Sequence, residues 1–412
     1  MKINMMLYAF YLFSLVDARF EEHFLTNHAM IWILYTLIAA GENLVFYLGG
    51  IRNYGLKIKR RSIGEYQLLI FFFLGLELFN KYTELDEWLY LVCFVVAVFA
   101  TAAIFLRYHG IFELLMVNFY VPNIAIVMNC IVNKINIIEN ARTIRISTFF
   151  SSNYSYRIRF GLGFTNPNMI GNLSATLILL AIPLLAYLKE HNVHKSVAIG
   201  TIAFAAFDIL IMLESGSRTA VISIVASGIT YVVFFNVSNK KNARLREKMA
   251  IATLLGCLLT CCGFIVADKF IATYISSGRV ESYQLLETLQ GISTLVGNGV
   301  FSPGKDGLIN INGQVFSLHL DNYYSYIFVT TGLTGICVFA IFFIKIYKSM
   351  YKRKEEGFIQ ALLTCFVFDM IYGLAETCIL YPQFPSSMML FTLFLSVANE
   401  NDAHMIESVT KK

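Results

Sequence analysis

Four short runs place arginine, acidic, amide and hydroxyl side chains beside glycines or at the mouths of apolar stretches. The first is Arg157-Ile-Arg159-Phe-Gly-Leu-Gly-Phe-Thr-Asn-Pro-Asn168, immediately before an apolar segment. Arginine and backbone amides at a helix start make an anion site, because the helix N-terminus is electropositive. The competing reading is a glycine-loosened loop whose Asn168 caps the helix. The second run is Glu214-Ser-Gly-Ser-Arg218-Thr219, a turn with almost no loop between two apolar stretches. A charge so near hydrocarbon is costly and faces a cavity or a partner. Either Glu214 and Arg218 pair at the interface, or Arg218, among the hydroxyls of Ser215, Ser217 and Thr219, grips a lipid-linked phosphate.

The third run, Ser276-Ser-Gly-Arg279-Val-Glu281, opens a long polar segment that also holds Gly297-Asn-Gly299. The fourth closes that segment with His319-Leu-Asp321-Asn322-Tyr-Tyr324 and enters an apolar stretch. Asp321 and Asn322 stand where an N-cap would stand. The same cluster of His, Asp, Asn and Tyr at a membrane surface supplies a base, a group to orient it and donors for a sugar. Tyr323 and Tyr324 also suit an interfacial aromatic belt. Glu42, Glu77, Glu113, Asp208, Asp369 and Glu376 are scattered through apolar stretches, as a proton path or as cross-helix pairs. His109, His191 and His194 mark solvated loops. No P-loop, nucleophile elbow or metal-ligand spacing is present, so the sequence implies no cofactor and no metal.

The elements that must position these residues are membrane helices. Hydrophobic residues are 57% and charged residues 14% of the 412, with mean hydropathy +0.63. A soluble domain carries about 25% charged residues. The expected fold is therefore all-α, a single polytopic membrane domain over 1–412. Apolar stretches at 3–17, 29–49, 65–80, 87–106, 111–133, 169–188, 196–213, 219–236, 249–267, 321–346, 358–377 and 386–398 give about 12 spans of roughly membrane-crossing length. The eight cysteines (Cys93, Cys130, Cys257, Cys261, Cys262, Cys337, Cys365, Cys378) lie in or beside these stretches, as buried thiols suit.

Basic residues orient the map. With twelve spans, 21 of the 32 Lys and Arg fall on one side with both termini, and the loops 52–61, 240–248 and 348–354 lie there. That side is cytoplasmic by the positive-inside rule. The net charge of +5 is thus a topology signal, and no nucleic-acid partner is implied. Of the 11 basic residues on the outer side, 7 are arginines, including Arg159, Arg218 and Arg279. The outer side also receives two long segments, 134–168 and 268–320. The second carries apolar and aromatic residues and is expected to pack as a helical cap.

These motifs resemble the bacterial polysaccharide polymerase and O-antigen ligase superfamily, the Wzy and WaaL type. The similar elements are Arg159…Gly163…Asn166-Pro-Asn168, Ser215-Gly-Ser-Arg218-Thr-Ala, Ser277-Gly-Arg279, Gly297-Asn-Gly299 and Asp321-Asn-Tyr-Tyr324, followed by Gly332 and Gly335. They run in the family's order over 157–335. The resemblance implies a GT-C-like fold and a metal-independent, inverting glycosyltransferase of the bacterial cytoplasmic membrane. Its substrates would be undecaprenyl pyrophosphate-linked oligosaccharides at the outer face, with membrane lipids, a flippase and a chain-length regulator as partners. Ligases of the family carry His before the Asn of the closing motif; Asp321 stands there in this chain, which favours a polymerase.

On that resemblance, Arg218 and Arg279 hold the pyrophosphate with Arg159 assisting. Asp321, His319 or Glu281 orients or deprotonates the attacking hydroxyl. Asn168, Asn322 and Tyr324, with Ser215 and Ser217, bind substrate. Developing charge on the leaving group is where fixed donors lower a barrier most. Three rivals remain at this stage: ligase-type transfer to another acceptor, a polysaccharide transporter or flippase, and a structural subunit whose arginines bind lipid head groups. A transporter calls for inverted repeats and broken helices matched between halves, and the sequence displays neither.

Overall fold

The computed structural model describes residues 2–54, 83–143, 159–191, 195–235, 292–299, 308–311, 314–317, 322–353, 356–374, 376–382 and 384–410, with scattered positions between 70 and 80. Helices form nearly all of it. In chain order they are α1 (Lys2–Asp17), α2 (His28–Tyr54), α3 (Leu85–Tyr108), α4 (Ile111–Val132), α5 (Ile137–Thr143), α6 (Pro167–Glu190), α7 (Lys195–Ser215), α8 (Arg218–Phe235), α9 (Ile292–Val296), α10 (Tyr323–Tyr351), α11 (Gly357–Tyr372) and α12 (Pro385–Thr410).

Six of these among the described residues are long and apolar enough to cross a membrane: α3, α4, α6, α7, α10 and the first 21 residues of α2. Shorter apolar helices cover Ile3–Asp17, Gly357–Tyr372 and Pro385–Asn399. The chain has the helices of a multi-pass membrane protein. Only 22% of the apolar window of α7 is buried against protein, and Ile199, Ile202, Ile209, Leu210 and Leu213 stand exposed along it. Apolar surface of that extent on a regular helix is what lipid covers. Of the twelve stretches expected as spans, 249–267 lies outside the described residues and 65–80 is described only in part.

Helix α6 packs against α4, α7, α8 and α11, while α12 packs against α3, α4, α10 and α11. Between the helices, polar side chains join where apolar contact alone gives little direction. Asn118 of α4 donates to the Met389 carbonyl of α12 (2.9 Å) and accepts from Tyr8 of α1. Tyr120 of α4 meets Thr201 of α7 at 2.9 Å. Such interhelical bonds act as glue when both surroundings are equally apolar.

Three expectations change. The cap of α6 is Asn166, whose side chain accepts from the Asn168 N–H at 2.8 Å, with Pro167 at the first helical position. Asn168 is thereby released from capping. Proline suits that first position because its missing N–H is unpaired there anyway. Second, the stretch expected as a span at 358–377 is helical only to Tyr372; Gly373 ends α11, and the chain runs irregularly to Pro385. Third, the described residues of the segment 268–320, expected as a helical cap, hold α9 and two short strands besides the 297–299 run. Strands β1 (Leu308–Ile311) and β2 (Gln314–Ser317) pair antiparallel, with Ile311 opposite Gln314.

Helix α10 is broken at Gly332, where φ is +64°. The break leaves carbonyls one turn earlier without helical partners, and the Gly297-Asn-Gly299 run supplies them. Asn298 N–H donates to Val329 O at 2.8 Å, and Gly299 N–H donates to Thr330 O at 2.9 Å. A Cβ at Gly332 would lie 2.5 Å from the Leu295 backbone, so the two backbones can approach only through glycine. Two of the short motifs thus explain each other.

Candidate functional site

The Arg159 run, the Ser215–Ser217 turn and the segment after α11 meet at one end of the bundle. The backbone begins the assembly: Phe160 N–H donates to Glu214 O at 3.0 Å, laying residues 159–160 against the end of α7. The guanidinium of Arg159 then reaches two partners. Its Nε–H donates to the Ser215 carbonyl at 3.3 Å, and an Nη2–H donates to Asn168 Oδ1. A guanidinium carries five N–H donors. Two are engaged among the described residues, which leaves three for an anion.

Asn168 passes the connection on. Its Nδ2 donates to Glu376 Oε1 at 2.6 Å, and its backbone carbonyl accepts from the Tyr372 hydroxyl at 3.1 Å. The amide orientation follows from these partners, since arginine can only donate and a carboxylate accepts. Glu376 is buried, at 4% exposure. The result is a cation and a carboxylate joined through one amide, drawn from positions 159, 168 and 376.

Residues 373–374 extend this set to the start of α10. Asn322 Nδ2 donates to Leu374 O at 2.8 Å, and Tyr323 N–H donates to Gly373 O at 2.9 Å. Asn322 is also the N-cap of α10, its Oδ1 accepting from Ser325 N–H at 3.0 Å. The Tyr324 hydroxyl donates to Met370 O at 2.8 Å. For both Asn322 and Tyr324, polar atoms expected to meet sugar are bonded to backbone.

Ser215 and Ser217 hold their own turn. Ser215 Oγ donates to Met212 O (2.6 Å) and accepts from Ser217 N–H (3.2 Å). Gly171 of α6 allows the turn to come close: a Cβ there would lie 2.5 Å from Ser217 Cβ and 2.7 Å from Ser215 Oγ. Arg218, half-buried, begins α8 directly after this turn. The Glu214–Arg218 pair does not form. The Glu214 carboxylate is buried on the last turn of α7, which packs against α5 and lies beside its Asn140.

Arg279, Glu281, His319 and Asp321 lie outside the described residues, as does Arg157. Among the scattered acids, Glu42 accepts from Asn4 Nδ2 at 2.9 Å. Asp208 is buried beside the Asn123 amide, and Asp369 is buried with no hydrogen-bond partner on either carboxylate oxygen among the described residues. Glu376 is the residue that the sequence left among the scattered acids, as a proton path or a cross-helix pair, and that the structure joins to Asn168. Its signal was present as an acid in an apolar stretch, but its partner lies 208 positions away. No protein-family model matches the chain, and no curated protein matches it.

Proposed function

We propose that this protein polymerises lipid-linked oligosaccharide repeat units into surface polysaccharide at the outer face of the bacterial cytoplasmic membrane. The observation that supports this reading is the connected set Ser215–Arg159–Asn168–Glu376, tied through residues 373–374 to Asn322. Three of the four motif runs thus meet at one end of the bundle, in the order in which they resemble the polymerase and ligase superfamily.

In the proposed reaction the anomeric carbon bonded to undecaprenyl pyrophosphate is attacked by a sugar hydroxyl of an acceptor chain. The C–O bond to pyrophosphate breaks, and its electron pair leaves with the phosphate oxygen. Arg218 and Arg279 bind that leaving group, and Arg159 adds its three remaining N–H donors. Guanidinium forks match phosphate oxygens in pairs, which an ammonium does not. Asp321, His319 or Glu281 takes the hydroxyl proton. Displacement at the anomeric carbon inverts its configuration.

The test is an Arg218→Lys, Arg279→Lys double variant, which keeps both charges and loses both forks. Cells carrying it should accumulate single lipid-linked repeats on the outer leaflet and make polysaccharide of much reduced length. Polysaccharide of full length in those cells would end the proposal and favour a role for these residues as lipid contacts.

A further inference from the structure

The loop between α1 and α2 gathers a second polar cluster that the transfer reaction does not use. Asp17, the last residue of α1, is fully buried. Its Oδ1 accepts from Phe24 N–H at 3.0 Å, and its Oδ2 accepts from Leu25 N–H at 2.8 Å. His28, the first residue of α2, places Nε2 2.9 Å from the same Oδ2. His23, exposed in the loop, puts Nδ1 3.0 Å from the Asp17 backbone carbonyl, and its ring lies 5.0 Å from that of His28. One nitrogen or carboxylate oxygen from each of the three residues lies within 4.8 Å of the others.

We propose that Asp17, His23 and His28 form a binding site for a borderline divalent cation of the zinc class. Two imidazoles and one carboxylate, with remaining positions open to water, are a donor set that zinc accepts. Hard cations such as Mg²⁺ and Ca²⁺ need oxygen ligands in greater number. The surroundings prepare the ligands. Two backbone N–H groups fix the carboxylate while each oxygen keeps acceptor capacity. The Asp17 carbonyl can only accept, so neutral His23 donates through Nδ1 and carries its lone pair on Nε2. An outer partner that fixes the tautomer is the usual support of a metal-bound imidazole.

Ligands about 2.1 Å from a tetrahedral zinc stand roughly 3.4 Å apart. Asp17 Oδ2 and His28 Nε2 stand 2.9 Å apart, sharing the imidazole proton that a cation would displace. His23, exposed on the solvent side, turns about its bond to the Asp17 carbonyl to close the remaining gap. Arg19 does not compete for the carboxylate; its guanidinium donates to the Tyr90 hydroxyl at 3.0 Å and to Pro382 O at 3.5 Å.

The same loop braces the Arg159 run. Glu21 N–H donates to Gly163 O at 2.6 Å, Thr165 N–H donates to Arg19 O at 3.0 Å, and the Phe20 and Phe164 rings meet edge to face at 4.7 Å. A cation joining α1 to α2 through this loop would stiffen the support of residues 159–168 without entering the reaction.

The test is Zn²⁺ titration of the purified, tag-free full chain in detergent, followed by calorimetry and by the midpoint of thermal unfolding. One Zn²⁺ per chain should bind saturably, raise the midpoint, and resist displacement by millimolar Mg²⁺ or Ca²⁺. His23→Ala should weaken binding by about 10- to 100-fold. Because His23 is exposed, that variant should unfold at the unchanged midpoint in chelator, which separates ligand loss from misfolding. Absence of saturable binding, binding untouched by His23→Ala, or ready displacement by Mg²⁺ would each overturn the proposal and leave Asp17 and His28 as a loop lock.

Discussion

The Arg159 corner and the start of α10 both carry residues expected to bind substrate, and they use their polar atoms differently. At the corner, side chain meets side chain: Arg159 to Asn168, and Asn168 to Glu376. At the start of α10, side chain meets backbone: Asn322 caps Ser325 N–H and holds Leu374 O, while Tyr324 holds Met370 O. Bonds to backbone satisfy groups that any sequence would present there. At the corner the Asn168 amide joins a cation 9 residues before it to an acid 208 residues after it. The corner therefore has the stronger claim to chemistry, and the start of α10 the stronger claim to architecture.

Substitutions can break that division, the largest effect coming first. Glu376→Ala removes the acceptor of Asn168 Nδ2 and should cost about 1–3 kcal/mol for the polar group left behind. Under the proposed function it should also reduce the polysaccharide to short chains, whereas Asn322→Ala should not. Normal chain length with Glu376→Ala would move the corner into the architectural class.

Asn322→Ala loses the cap of α10 and should destabilise by about 1 kcal/mol, measured by unfolding in mixed micelles with the amount of product per folded molecule unchanged. A loss of product well beyond the loss of folded protein would return Asn322 to the substrate site. The smallest effect belongs to Tyr324→Phe. Losing one hydroxyl bonded to a carbonyl should cost about 0.5–1.5 kcal/mol, with polymer length unaltered. Shortened polymer from this variant would show that the hydroxyl leaves Met370 for a sugar.

Much of the scaffold was legible. Apolar stretches at 29–49, 87–106, 111–133, 169–188 and 196–213 are helices because a run that long has no other way to satisfy its backbone in hydrocarbon. The starts of α6 and α10 were marked by asparagine and proline, misplaced for α6 only between Asn166 and Asn168. The end of α11 was missed because hydropathy continues past Tyr372, whereas the helix stops at its C-cap Gly373. The strands at 308–311 and 314–317 were missed because each is only four residues long and their apolar content suits a helix as well.

The sequence by itself determined the membrane class, most helix positions and the mouths at which arginines gather. These rest on hydropathy and on turn or cap chemistry acting within a few residues. Only the tertiary structure decided that Glu376 faces Asn168, that Gly297–Gly299 fills the break at Gly332, and that Asp17 meets His23 and His28. A hydrogen bond acts over about 3 Å, and no local periodicity records which distant segment the packing of helices brings within that distance.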